Sequence, residues 1–277
     1  QVFVYNWVVT ENRKLNDQRM IHAWTDKNYL ERIIPEANCP FTLIRNVNGM
    51  LFDHNFTPIS SVDAEKILAS EENVIVKPSV DSGGGMNVEL FKSNKTYADI
   101  QKKFGLNFIV QRILKQSKTT SVFNESSVNT IRIISLLWQG EVYICGITLR
   151  TGIKGAITDN ISHGQGIALG LKTNGMIKDV CYSNEGMCYK TSEYFNIAED
   201  HKIVSVDKAV EFVKYAHQRL PYSKLVAWDI AVNEDDTISL IEYNTKAIGI
   251  TLFQYDAGPL FGELTRDVLT YYGRKNY

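Results

Sequence analysis

Alternating and continuous apolar runs, cut by polar and glycine-containing turns, divide this chain into predicted strands and helices. The most telling unit is Leu225–Val232 followed by Ile238–Asn244, two apolar strands joined by a polar turn from Asn233 to Thr237. A turn centred between Asp235 and Asp236 sets Asp229 directly opposite Glu242, and Glu242 shares a strand face with Asn244 two residues on. One face then carries two carboxylates and an amide, with cross-strand Cβ atoms about 5 Å apart. Like charges so placed repel and are costly to desolvate. A hard divalent cation such as Mg²⁺ reverses that sign and leaves positions open for substrate phosphates. The alternative is a slipped register with one carboxylate in solvent.

Residues 1 to 23 mix aromatic and polar positions without a clean period. Thr25 is then predicted to cap a helix from Asp26 to about Ile34, stopped by Pro35. Its first turn holds Lys27, although a lysine usually sits at the C-terminal end of a helix; a solvated surface lysine is the plain reading. Phe41–Arg45 and Met50–Phe52 read as strands around the turn Asn48-Gly49. Ser60 or Ser61 opens a helix to about Ser70. Next come a strand from Val74 ending at Lys77, the loop Ser82-Gly83-Gly84-Gly85, and a strand from Met86 to Phe91. Glycines let backbone N–H groups close around an anion. The loop leads into a strand and lacks Gly-Lys-Ser/Thr, so it is not a P-loop. Such loops are more often structural, and the neighbouring Lys77 is what favours phosphate.

Ser93 is predicted to cap a helix to about Phe104, ended by Gly105. A strand over 107–114 runs into a polar linker, Lys115 to Thr120, read as the junction of two subdomains, where nucleotide sites often sit. Residues 129 to 150 form a hairpin turning at Gln139-Gly140. Arg132 shares a face with Ile134, Leu136 and Trp138, where a guanidinium needs an anion. Arg150 emerges at the far end of the partner strand. A structural ion pair satisfies either arginine; a bound phosphate or carboxylate is the sharper option. The polar stretch 159–166 holds His163, either solvated or a base or substrate contact. Strands follow near Ile167–Leu171 and Met176–Cys181, then a helix from Val206 to Leu220 capped by Ser205 with a core-facing stripe. An amphipathic helix from about Pro259 to Tyr272 ends the pattern.

Composition narrows the class without naming a reaction. The 277 residues, 44% hydrophobic and 22% charged, suit one large or two medium domains of α/β or α+β type. A net charge of −1 and the lack of a basic block argue against nucleic acid. No apolar run reaches the ~18 residues of a membrane span, and no signal peptide is visible, although the chain starts at Gln1, so trimming stays open. Cys39, Cys145, Cys181 and Cys188 lack any C-x-x-C spacing and read as core thiols of a reducing, cytoplasmic compartment.

In order, these motifs resemble the ATP-grasp superfamily, most closely the sugar-transfer-associated ATP-grasp proteins of bacterial surface-polysaccharide loci. The resemblance covers roughly residues 24 to 270 and rests on Asp26-Lys27, Val74-Ile-Val-Lys-Pro78 with its glycine loop, Ile109-Val-Gln-Arg112, Asn129-Thr-Ile-Arg132, Asp159-Asn160, Trp228-Asp-Ile-Ala231 and Ile241-Glu-Tyr-Asn-Thr245. It implies an α+β fold in which two α+β subdomains grip ATP between antiparallel sheets. The expected division is a short N-terminal lobe over 1–59, a subdomain with the glycine-rich loop over 60–117, and one with the metal site over 118–277. Only 25 residues precede Asp26, fewer than the ~30 of a βαβ unit, so a full preceding nucleotide-fold domain is expected to be absent or trimmed.

The resemblance also implies roles. Lys27 and Lys77 would hold ATP phosphates under a closing loop of Ser82, Gly83, Gly84 and Gly85. Gln111 and the backbone of Arg112 and Ile113 would line the adenine pocket. Asp229, Glu242 and Asn244 would hold two Mg²⁺ ions. Arg132 and Lys77 would be catalytic, Arg132 stabilising charge on the transferred phosphoryl group. Arg150, Asp159, Asn160, His163, Lys246 and Gly249 would meet substrate. The run Glu242-Tyr-Asn-Thr245 is similar to that of D-alanine–D-alanine ligases, without their proline and with Gly249 one residue later. The implied activity is an ATP- and Mg²⁺-dependent ligase that makes an acylphosphate for capture by an amine or thiol, in surface-polysaccharide or glycan modification. Its partners would be a small-molecule acid and an acceptor such as a sugar or amino acid, in a chain compatible with homo-oligomers. Two alternatives stand beside it: a kinase acting on a sugar or polyol hydroxyl, with Asp159 or His163 as base, and a non-catalytic nucleotide-binding module.

Overall fold

The computed structural model describes residues 15–80, 82, 87–92, 96–152, 155, 166–183, 185–246 and 248–273. Helix α1 (Gln18–Trp24) starts where the Asp17 carboxylate accepts the Arg19 N–H. Thr25 ends this helix instead of opening the next, because its N–H and hydroxyl both donate back to the Ile21 carbonyl. Asp26 is the cap that follows, accepting the Asn28 N–H over the 3-10 turn Lys27–Tyr29, which runs into α2 (Leu30–Ile33).

Strands β1 (Thr42–Val47) and β2 (Met50–Phe52) form the expected hairpin, with positive φ at both Asn48 and Gly49. Helix α3 (Ser61–Ala69) begins with a reciprocal box between Ser60 and Asp63. Strands β3 (Asn73–Pro78) and β4 (Glu89–Lys92) precede α4 (Tyr97–Phe104), which is capped by Thr96 and not Ser93. Thr96 stands three residues before Asp99 and so can build the same box. With β5 (Phe108–Arg112) these strands make an antiparallel sheet in the order β2-β1-β5-β3-β4. Residues 42–52, expected in a separate lobe, are thus two strands of this sheet. Ile44, Val76, Phe108 and Val110 form its core beneath Ala64, Leu68 and Ile100 of α3 and α4.

The linker after β5 holds a short helix, α5 (Lys118–Ser121), and is pinned to the second sheet. The Ser117 N–H donates to the Val232 carbonyl, and its hydroxyl donates to the Asp236 carboxylate. The second sheet is assembled from β6 (Thr130–Trp138), β7 (Glu141–Thr151), β8 (Ile167–Leu171), β9 (Ile177–Ser183) and β10 (Cys188–Lys190), then β11 (Leu225–Val232) and β12 (Ile238–Asn244). Its order is β10-β9-β8-β7-β6-β11-β12, antiparallel throughout.

Between β10 and β11 lie α6 (Thr191–Phe195) and α7 (Val206–His217). Ser205 does not cap α7 with its side chain: it is left-handed, at φ 59°, and its hydroxyl donates to the Asp236 carbonyl. Ala209, Val210, Val213 and Ala216 of α7 cover one face, with Ile131, Ile133, Trp228 and Ile230 beneath them. Helices α8 (Ile250–Ala257) and α9 (Thr265–Gly273) cover the other, over Ile134, Leu136, Leu225 and Ala227. The pattern did not foresee α8, and the last helix begins at Thr265 rather than Pro259. A Cβ at Gly146 would lie 2.6 Å from the Phe253 ring, so that glycine lets α8 lie against β7.

Cys181 is buried, Cys39 and Cys145 are half-buried, and Cys188 is exposed on an edge strand, so not all four are core thiols. No described helix is long and apolar enough to cross a membrane.

Candidate active site

The β11–β12 hairpin places Asp229 opposite Glu242, as the sequence suggests, but by a different route. The Asn233 N–H donates to the Thr237 carbonyl, which centres the turn on Asp235, with Asp236 left-handed at φ 61°. Ile230 accordingly pairs with Leu240, and that register alone would bring Ile241 opposite Asp229. A bulge adds Ile241 to β12 and restores the Asp229–Glu242 pairing. Two shifts of one residue cancel at the position that matters.

On its other side Asp229 faces Arg132 of β6 in register. Arg132 grips it with a two-pronged fork: Nε donates to Oδ1 at 2.8 Å and Nη2 to Oδ2 at 2.5 Å. Nη1 of the same guanidinium donates to the Ile248 carbonyl at 3.3 Å. Arg150 of β7 lies 3.4 Å from both Asp229 oxygens through Nη1. The Asn244 amide nitrogen is 3.3 Å from Asp229 Oδ2 and 3.4 Å from Glu242 Oε1. Asp229 is 3% exposed. Burial works to raise its pKa, and the charges of Arg132 and then Arg150 outweigh it, holding the carboxyl below the usual range.

The cations facing this group come from the other sheet. Lys27 Nζ lies 3.2 Å from Glu242 Oε2 and donates to Ser82 Oγ at 2.9 Å, tying the start of the glycine-rich loop to the carboxylate. Its backbone N–H donates to the Ser79 carbonyl. The turn carrying Lys27 is braced by buried Arg45, which donates to the Asn28 carbonyl and pairs with Glu31. Lys77 ends β3 with 6% exposure. Burial, and after it the charge of Lys27, push its pKa down to about 8.

A cavity of about 660 Å³ lies between the sheets, with Lys27, Lys77, Ser82, Arg150, Asp229 and Glu242 at its charged end. Ile75, Leu90 and Ile113 wall its apolar end, beside Gln111 and Arg112. Gln111 is fixed by its Nε2, which donates to the Pro40 carbonyl and Thr42 Oγ1, both at 3.1 Å. The Arg112 guanidinium pairs with Glu71 and sits over Phe41. Arg132 and Asn244 join the cluster through Asp229. Gly249 starts α8 near Arg132, while Lys246 is exposed, and neither lines the cavity. Gly83, Gly84, Gly85, Asp159, Asn160 and His163 lie outside the described residues.

Sequence reasoning missed Glu125, Ser126, Ser127 and Thr130, which form another wall. The signal was Asn129, named in a motif but given no task. Its amide donates to Gln116 Oε1 and to the Thr120 and Asn124 carbonyls, folding the 116–129 loop against the cavity.

The donor set fits a hard cation in part. Glu242 and Asn244 offer oxygen-bearing side chains within contact of each other. Asp229 presents oxygens already taken by two guanidiniums. No group of three or more His, Cys, Asp and Glu side chains suited to a metal occurs among the described residues.

Comparison with known proteins bears on the same chain. D-alanyl-alanine synthetase A from Vibrio cholerae O1 biovar eltor is structurally similar at a TM-score of 0.50, with 15% identity, covering 91% of this chain and 65% of that one. Carboxyaminoimidazole ribonucleotide synthase from Aspergillus clavatus, complexed with ATP, gives 0.54 with 11% identity, covering 88% and 53%. The ATP-grasp ligase PsnB with a minimal precursor gives 0.50 with 12% identity, covering 95% and 66%. At these identities the likeness shows the ATP-grasp fold, and the chain spans less than two thirds of each relative. Comparison with curated protein sequences finds no match. Residues 11–266 match the family described as sugar-transfer associated ATP-grasp. The chain belongs to the sugar-transfer-associated ATP-grasp family.

Proposed function

We propose that this chain is an ATP- and Mg²⁺-dependent ligase that activates a carboxylate as an acylphosphate for capture by an amine or thiol. The observation that carries this reading is the single cavity in which buried Lys77 faces Glu242 and Asp229 across the two sheets. Among the described residues Lys77 makes no hydrogen-bonded ion pair, and the charge of Glu242 only partly opposes its burial, so a polyphosphate entering the cavity would offset its desolvation. The apolar end, with Gln111 fixed beside Ile75, Leu90 and Ile113, suits a purine between the sheets.

The chain supplies position and charge rather than a nucleophile. The substrate carboxylate attacks the γ-phosphorus, ADP departs, and the acceptor then displaces inorganic phosphate from the acylphosphate. Lys27 and Lys77 hold the phosphates, and Lys27 also draws in Ser82 of the closing loop. Arg132, bonded to Asp229, would add positive charge behind the transferred group, the role the family resemblance implies. Arg150, which lines the cavity with Ser126 and Ser127, would orient the substrate acid. Mg²⁺ held by Glu242 and Asn244 would neutralise phosphate charge when bound. Strands β1–β5 with their helices would act as the nucleotide lid, and residues 118–277 as the base. A role in cell-surface polysaccharide or glycan modification, with a sugar or amino acid as substrate, follows from the family description.

The test is ADP release against a panel of acidic sugars and amino acids, with hydroxylamine added as a trap. An acid that drives turnover is expected to yield its hydroxamate. Turnover without hydroxamate would exclude an acylphosphate, and a stable phosphorylated alcohol would identify a kinase instead.

A further inference from the structure

Phe56, in the loop between β2 and α3, has left-handed backbone at φ 62°. The Cβ of a bulky residue crowds the chain there, so the conformation costs free energy and persists only where the surroundings impose it. Asp53 imposes it. Its carboxylate accepts the Asn55 and Thr57 N–H groups, both at 2.8 Å, and its carbonyl accepts the Phe56 N–H at 3.1 Å. The Asp53 N–H donates in turn to the Thr57 carbonyl at 3.0 Å. The loop is thus tied on both sides of Phe56, and what the strain achieves is the placement of one ring.

That ring meets the turn that carries Lys27. Tyr29 stacks on it, with centroids 5.9 Å apart and planes 28° from parallel. The guanidinium carbon of Arg45 lies 4.2 Å from its centroid, and that of Arg32 lies 3.9 Å away. Both Tyr29 and Arg45 lead to Lys27. Tyr29 closes the 3-10 turn Lys27–Tyr29, and Arg45 Nη1 donates to the Asn28 carbonyl of that turn at 2.7 Å. Arg45 is 1% exposed, and its Nε completes no hydrogen bond among the described residues. An aromatic face is then a favourable neighbour for its buried charge.

The turn depends on such ties because its apolar neighbours belong elsewhere. Leu30 and Ile34, just after it, pack into the core of the seven-stranded sheet. Lys27 is nevertheless docked on the five-stranded sheet, through Arg45, the Asn28 amide on the Asn46 carbonyl, and its own N–H on the Ser79 carbonyl. From there its Nζ reaches Ser82 Oγ at 2.9 Å and Glu242 at 3.2 Å, at the charged end of the cavity.

We infer that Phe56 is a positioning residue for nucleotide binding: the strained loop presses its ring on Arg45 and Tyr29, and through them sets Lys27 for the phosphates. This rests on the nucleotide-binding reading above. Phe56 itself does not line the cavity and touches no ligand.

The experiment measures binding of a non-hydrolysable ATP analogue with Mg²⁺ by calorimetry, on the full chain and on variants checked for cooperative unfolding in urea. Phe56→Leu keeps an apolar side chain but removes the π-face, and is expected to weaken binding roughly 5–30-fold. Phe56→Tyr keeps the ring and is expected to bind as the wild type does. Apolar packing alone would let the Leu variant bind normally, and that result overturns the inference, as does a Tyr variant as weak as Leu. Lys27→Ala is expected to weaken binding roughly 10–100-fold. Adding Phe56→Leu to it should cost nothing further, because the ammonium it acts through is already gone. Losses that multiply would show Phe56 acting by another route and overturn the inference. Should Phe56→Leu not fold, Phe56→Met takes its place in the same cycle. Failure of the wild type to bind the analogue, or an unchanged affinity in Lys27→Ala, would overturn the phosphate role of Lys27 and the inference together. A weakened Lys27→Ala beside an unchanged Phe56→Leu would overturn the inference alone.

Discussion

On the five-stranded sheet, Lys77 is 6% exposed and meets no anion in hydrogen-bond reach among the described residues. On the seven-stranded sheet, Asp229 is 3% exposed and is gripped by Arg132 and flanked by Arg150. Both are buried ionisable groups at the mouth of one cavity, yet their pKa values are shifted for opposite reasons. Lys77 is pushed down to about 8 by burial and by Lys27, so its charged form is disfavoured. For Asp229 the guanidiniums outweigh burial and favour the charged form. The large sheet therefore neutralises its own charge as part of folding, while the small sheet leaves a cation for the ligand to neutralise. A mutation on the first should read out in stability, and one on the second in binding.

The hardest test of this contrast is Asp229→Ala. It removes the carboxylate that Arg132 grips and Arg150 flanks and is expected to lower unfolding stability by about 3–5 kcal/mol, read by urea titration. A change within experimental error would abolish the distinction between the sheets.

Asp256 of α8 sharpens the comparison, because it is a carboxylate packed on the same sheet without an arginine. Neither of its oxygens completes a hydrogen bond among the described residues. Burial raises its pKa to about 7, with the Lys178 charge and the Gly170 backbone only partly opposing. The folded pKa exceeds the unfolded one, so the folded chain binds the proton more tightly. Stability should then fall as pH rises from about 4 to about 7 and level off above that. Asp256→Asn is expected to remove this slope and to gain about 2–4 kcal/mol at pH 8, seen as a flat profile of unfolding midpoints. A wild-type profile already flat over that window would refute it.

Lys77→Met tests the small sheet. Calorimetry with an ATP analogue should show a loss of roughly 10–100-fold, or about 1.5–3 kcal/mol, while stability holds or rises. In the wild type the affinity should decline as pH passes above about 8, where the free chain's Lys77 loses its proton. In the Met variant that decline should vanish. The smallest effect is expected at Arg112→Gln, whose own side chain is exposed beside half-buried Glu71: about 0.2–1 kcal/mol of stability, reduced by salt.

Much of this was legible in the chain itself. The Asn48-Gly49 hairpin, the strand ending at Lys77 and the β11–β12 hairpin follow from local rules, namely positive φ at Asn-Gly, period-two alternation and polar turns. Gly105 ends α4 where expected, at φ 72°. Other local choices went to a competitor a few residues away. Thr25 bonded backward to Ile21, Thr96 had Asp99 three residues on to complete its box, and the Ser205 hydroxyl went to the turn of a distant hairpin. Helix α8 escaped notice because what favours it is a space on the sheet, left by Gly146 more than a hundred positions earlier.

The sequence by itself determined which chemical groups this protein has and roughly where each strand begins and ends. Side-chain alternation and turn chemistry depend only on near neighbours, and they sufficed to set Asp229, Glu242 and Asn244 on one face. Tertiary structure decided what those groups do to each other. The Arg132–Asp229 fork joins residues 97 positions apart. Its strength comes from the pairing of β6 with β11 and from burial there, properties of the folded molecule that no local pattern records. The same holds for Lys77, an ordinary lysine in the sequence that burial at the cavity turns into a cation awaiting a ligand's anion.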